Sequence, residues 1–146
     1  MMVVLPDAEY IAICALRAAY ALEKGRRPHI QPRIPADAFE LLKGGPVIAL
    51  YKVGGKAPNP GYVDNSMFAV QVMDVDRRTA HRVAREVREH LKAACDRQFT
   101  DGEEGYLANF REVSGPMATG DELTSNRPDI FRFVATYMVS TKPIRP

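Results

Sequence analysis

Cysteine is scarce. Cys14 and Cys95 are the only two in 146 residues, which excludes a disulfide framework and a Cys-rich metal site and fits synthesis in a reducing cytoplasm. An excess of either charge is also missing, since 20 Lys and Arg face 18 Asp and Glu, a formal +2. Residues 1–75 hold 8 basic and 7 acidic groups and residues 76–146 hold 12 and 11, so each half carries +1 and neither end is a charged tail. No overall field demands nucleic acid as a partner. Long apolar runs are absent too. The longest nearly uncharged stretch is 11–22, with Arg17 inside it, short of the ~20 residues a membrane helix needs. Met1-Met2-Val3-Val4-Leu5-Pro6-Asp7 has no positive n-region, so no secretory signal is expected.

What is present is ordinary globular material, 46% hydrophobic and 26% charged. A chain of this length buries roughly 68–70% of its unfolded surface in one core, and a single domain over 1–146 is expected. Asp7 is a suitable N-cap for a helix over 8–24, where Ala8, Ile11, Ala12, Ala15, Ala19 and Leu22 recur at helical spacing. Ile13, Leu16 and Tyr20 add a second apolar side, so the helix is expected to be covered on more than one face, by the domain or by a neighbouring subunit. Gly25 is a plausible stop. Four prolines punctuate 26–46, which suits a short edge strand at 29–33 and one or two helical turns at 36–42.

Residues 46–53 read as a strand ending at Gly54-Gly55. Residues 54–64, with three glycines and two prolines, read as a long loop. Alternation over 67–73 predicts the partner strand, and Asp74 or Asp76 can cap the helix that follows. That helix, over 77–99, has the clearest pattern: Ala80, Val83, Ala84, Val87, Leu91, Ala94 and Cys95 make one apolar stripe. Residues 106–114 are expected as a strand broken by Gly115-Pro116, 117–129 as loop, and 131–140 as the last strand. The order is α-β-β-β-α-β-β. It predicts an α+β fold, an antiparallel or mixed sheet with two main helices on one face.

The search for chemistry is mostly negative. His29, His81 and His90 are the only histidines. His81 and His90 are nine apart on one helix, the wrong spacing for a chelate, and read as solvated residues. Gly54-Gly55-Lys56-Ala57 lacks the Ser or Thr that a phosphate loop needs after its lysine. Asp101-Gly102-Glu103-Glu104 lacks the spaced ligands of a calcium loop and reads as an exposed turn. Cys14 and Cys95 sit in or beside apolar stripes as small core residues. No serine stands in a nucleophile elbow. Arg78, Arg82 and Arg85, at i, i+4 and i+7, share a helix face. They are open to three readings: phosphate contact, intersubunit ion pairs, or the wet side of an amphipathic helix beside Glu86 and Glu89. No catalytic constellation, metal site or cofactor site emerges, and no enzyme is expected.

The layout as a whole is more informative. Asp7-Ala8-Glu9 opens an apolar helix, and Pro32-Arg33-Ile34-Pro35 makes a punctuated link. The strand 46–53 runs into Gly54-Gly55, and Phe68-Ala69-Val70-Gln71-Val72 returns into the helix spanning Ala80 and Leu91. Gly115-Pro116 then precedes a closing strand that starts with Arg132-Phe133. Over nearly its whole length the chain resembles the tail terminator proteins of long-tailed bacteriophages. The resemblance implies a small α+β virion subunit, without reaction or cofactor, that assembles with itself as a ring, most often of six. Such a ring caps the head-proximal end of the tail tube, stops tube growth and meets the head connector proteins. The implied partners are other copies of the chain, the major tail tube protein, the connector proteins and, passively, DNA in the lumen, with no membrane. The implied place is the virion tail, assembled in the host cytoplasm.

The residues expected at ring or tube interfaces are Tyr10, Arg17 and Tyr20 on the first helix, Gly54, Gly55, Lys56 and Tyr62 in the glycine-rich segment, and Arg78, Arg82 and Arg85. The 54–62 and 117–129 loops are expected to contact the tube or the neighbouring subunit. The alternatives are another head–tail joining protein, a nucleic-acid-binding α+β domain using the three arginines, and a small enzyme of unrecognised type.

Overall fold

The computed structural model describes residues 4–59, 62–119 and 130–144. The elements are α1 (Ala8–Tyr20), β1 (His29–Gln31), α2 (Ala38–Leu41), β2 (Val47–Asn59), β3 (Val63–Asp74), α3 (Arg77–Asp96), β4 (Gly105–Ala118) and β5 (Phe131–Pro143). The strands form one mixed sheet in the order β1-β2-β3-β5-β4. β1 runs parallel to β2 and every other pair is antiparallel. The α+β class and the expected element order hold, with the short α2 set between β1 and β2.

Period-2 alternation decides which side of the sheet is covered. Phe68, Val70 and Val72 of β3 and Phe133, Ala135, Tyr137 and Val139 of β5 are buried together with the apolar residues of α1 and α3. The α3 stripe is buried in full, from Ala80 through Cys95. Each fully buried Val or Leu contributes about 1.5–3 kcal/mol. Asp76, not Asp74, caps this helix: its carboxylate accepts from the Thr79 amide at 3.2 Å and the Thr79 hydroxyl at 2.6 Å.

α1 packs on the same face of the sheet beside α3, so Ile11, Ala12, Ile13, Ala15 and Leu16 are all buried within the subunit. The apolar excess that pointed to a subunit contact is therefore used internally. The helix also ends earlier than expected, at Tyr20. Ala19 is exposed and Leu22, beyond the end, is 93% exposed. The opposite face of the sheet carries a second, smaller cluster: Leu42, Val47, Met73 and Ile130, with Ile34 and Leu41 against it.

Two stretches differ from their sequence reading. Most of 54–64 is not loop. β2 and β3 stay paired from Gly54↔Met67 to Asn59↔Val63, with register shifts between Lys52 and Gly54 and between Lys56 and Asn59. Gly55, at φ +113°, occupies a backbone region that side chains rarely adopt, and a Cβ there would lie 2.0 Å from the Asn65 carbonyl oxygen. These glycines shape a bulged hairpin instead of ending it. Likewise Gly115-Pro116 does not end β4. β4 is an edge strand, where a proline's missing N–H faces outward, and register shifts between Glu112 and Met117 carry the strand past it. Met117 and Ala118 belong to that strand, and residues 120–129 of the expected loop lie outside the described residues.

Candidate functional site

Residues directly opposite each other across β strands share a face. Gly54, Met67, Met138 and Arg111 form one such row across β2, β3, β5 and β4. Lys56, Asn65, Ser140 and Asn109 form the next. Both rows lie on the side of the sheet away from α1 and α3. With no side chain at Gly54, the first row is open at its β2 end, and the two rows enclose a cleft of about 660 Å³. Its floor is Met67 and Met138, its sides are Asn65 and Asn109, and its two cations are Lys56 and Arg111. Neither cation makes an ion pair among the described residues.

Of the expected interface residues, Gly55 and Lys56 line this cleft, Gly54 sits at its edge, and Tyr62 is 62% exposed at the hairpin turn. The structure assigns Tyr20 elsewhere: it is 5% exposed. Its hydroxyl donates to Glu86 Oε1 at 3.0 Å and its ring meets His90 edge-on at 4.9 Å. Burial, then the Glu86 carboxylate, pushes its phenol well above the usual tyrosine range. Tyr20 therefore joins α1 to α3 and offers no surface to a neighbour. Arg17 is exposed, but its guanidinium donates twice to the Ile30 carbonyl oxygen, at 3.2 and 2.7 Å, and ties α1 to β1.

Tyr10 is 52% exposed, on the helix-covered side of the sheet. Its phenol is held above the usual range first by its hydrogen bond to the Cys14 thiol, and also by the Glu103 and Asp101 carboxylates nearby. The three arginines lie on the exposed side of α3. Arg82 pairs with Glu86 at 3.5 Å, Arg85 donates to the His81 carbonyl of its own helix at 3.4 Å, and Arg78 stands beside Asp76. This is the wet side of an amphipathic helix.

Other features raised by the sequence find structural uses. His81 stacks on Phe133 at 5.0 Å, so neither it nor His90 is simply solvated. Asp101 Oδ1 accepts the Glu103 and Glu104 amides at 3.0 Å each. Burial works against the Asp101 charge, but these backbone bonds outweigh it and hold the carboxyl below its ordinary value. Burial pushes the Cys95 thiol up to about 12, so it stays a protonated core group. Among the described residues no group of three or more His, Cys, Asp and Glu could hold a metal ion, and no helix is long and apolar enough to cross a membrane.

Sequence reasoning missed the structural staple of Arg26 and Asp74. The guanidinium donates to both carboxylate oxygens, at 3.1 and 2.9 Å, and to the Leu42 carbonyl at 2.6 Å. It also missed Arg111, Asn109, Met67 and Met138, because three separate strands bring them together.

The family model of the phage tail termination protein matches residues 4–145. The chain belongs to this family. The match takes in all eight elements of the described residues, so the cleft and the α3 arginines are features of a phage tail termination protein, a structural component of the virion tail. Among solved structures, a chain in the virion of a native gene transfer agent particle superposes with a TM-score of 0.61 at 16% identity, over 92% of this chain and 94% of that one. At that identity the likeness is one of fold. A comparison with curated proteins found no match.

Proposed function

We propose that the whole chain acts as one domain, the subunit of a ring of six copies at the head-proximal end of the tail tube. The ring stops tube polymerisation and presents the surface that head connector proteins join. Its partners are further copies of itself, the major tail tube protein and the connector proteins, with DNA passing through the lumen. The role is structural, without a reaction or a cofactor, and the place of assembly is the host cytoplasm.

The observation that carries this reading is the family match over 4–145. The fold likeness to part of an assembled virion supports it. So does the open sheet face, where, among the described residues, half-buried methionines lie between two cations that make no ion pair and no helix closes over them. The arginine face of α3 gives the nucleic-acid alternative little support, because Arg82 is already paired and Arg85 is bonded to its own helix.

The test is to remove the protein from an assembling phage and measure tail tubes by electron microscopy. Without it, tubes are expected to overrun their normal length and fail to join heads, and purified protein added back should restore both. Tails of normal length, joined to heads in its absence, would overturn the proposal.

A further inference from the structure

A ring needs two different surfaces on each subunit, one to meet the copy before it and one to meet the copy after. The cleft supplies one: two methionines between Lys56 and Arg111, on the side of the sheet away from the main helices. The complementary chemistry is found on the other side. There the 100–104 turn sits against the start of α1. The Ile144 amide donates to the Glu104 carbonyl at 3.1 Å, and Pro6 packs so closely on Gly105 that a Cβ there would meet its ring at 2.6 Å. Tyr10 projects beside this turn, half-exposed, with the Glu103 and Asp101 carboxylates close by. Asp101 is committed to the turn's own amides. Glu103 and Glu104 are exposed and make no ion pair among the described residues.

We propose that the Tyr10–Glu103–Glu104 corner of one copy docks into the Met67–Met138 cleft of the next, with Glu103 and Glu104 facing Lys56 and Arg111. On one surface Glu103 lies near an exposed aromatic ring, with Glu104 next to it in the same turn. On the other Lys56 and Arg111 flank an apolar floor, and none of these four charges makes an ion pair among the described residues. An aromatic anchor in an apolar pocket with charges at its rim is the arrangement that interfaces favour. The cleft, at about 660 Å³, is of the size that holds one compact group. Because corner and cleft occupy opposite sides of one sheet, each docking leaves a fresh corner and a fresh cleft, and the chain of copies ends only when it closes. This contact rests on the ring reading and gives it a mechanism.

The test is charge exchange, read by light scattering and negative-stain imaging of the full chain, with tail tubes added if rings form only on them. One variant carries Lys56→Glu and Arg111→Glu, the other Glu103→Lys and Glu104→Lys. All four side chains are exposed, so circular dichroism and melting temperature should match the wild type. Each variant alone places like charges across the contact, and its assembly should weaken on the order of 100-fold. Mixed together they should assemble again, because corner and cleft then alternate in sign around an even-numbered ring. Tyr10→Ala should also weaken assembly without loss of fold. Wild-type rings from either charge variant alone would overturn the contact while leaving the ring reading standing. So would rings that form normally but no longer bind tubes, since the cleft would then belong to the tube protein. Failure of the mixture to assemble would overturn the pairing of these charges. A wild-type chain that remains monomeric even on tubes would overturn the ring reading itself.

Discussion

The two faces of the sheet are built from the same strands and do different work. On one, Phe68, Val70, Val72, Tyr137 and Val139 are at most 2% exposed beneath α1 and α3. On the other, one residue along in each strand, Met67, Ala69, Met138 and Ser140 stay half-exposed beside Lys56 and Arg111. The covered face supplies the apolar burial that holds the subunit together. The open face, apart from the small cluster around Leu42 and Met73, keeps polar and flexible side chains in contact with water. With the proposed contact, stability and association separate by strand parity, so substitutions one residue apart should change different observables.

The largest effect on stability belongs to the covered face. Phe68→Ala, at a fully buried position, should cost about 3–5 kcal/mol, read as a lower denaturant midpoint. Next is the Arg26–Asp74 staple at the C-terminal end of β3. Arg26→Met leaves the Asp74 carboxylate, whose side chain is 0% exposed, without its partner. The cost should be about 2–4 kcal/mol, because uncompensated buried charge is expensive. Asp74→Asn should cost less, since the Arg26 side chain is 43% exposed and water can solvate it.

Asp76→Ala should produce a smaller drop in melting temperature and a dependence on pH. Hydrogen bonding from Thr79 holds the Asp76 carboxyl below its ordinary 3.8. The cap therefore contributes fully above 3.8, and its contribution fades as pH falls through the lowered folded value. The melting difference between wild type and Asp76→Ala should shrink over that acid range. Met138→Ala sharpens the comparison, with a loss of about 1 kcal/mol or less in stability but clearly weaker assembly in light scattering. The smallest effect is Arg82→Gln. It removes an exposed pair with Glu86, should change stability by at most about 1 kcal/mol, and should leave assembly untouched.

Legibility followed sequence distance. The α3 stripe could be read because its seven residues lie on one local period, and the alternation over 67–73 identified β3 for the same reason. Residues 54–64 could not, because three glycines and two prolines signal a loop locally. Pairing with β3 and then β5 overrides that signal through bulges that depend on residues far along the chain. Gly115-Pro116 misled in the same way, since only the sheet order shows that β4 is an edge. Lys56 was noticed for its glycine neighbours, but its companion Arg111 is 55 positions away, and no local pattern links the two. Tyr20 looked like interface because an apolar helix has no visible partner until α3 is placed against it.

The most direct measurement is an image of the protein on tail tubes by electron cryomicroscopy, at a resolution that orients the subunit. A closed ring at one tube end is expected, with the Met67–Met138 cleft covered and the arginine face of α3 bare. Subunits bound along the tube, or joined through Arg78, Arg82 and Arg85 with the cleft open to solvent, would contradict it.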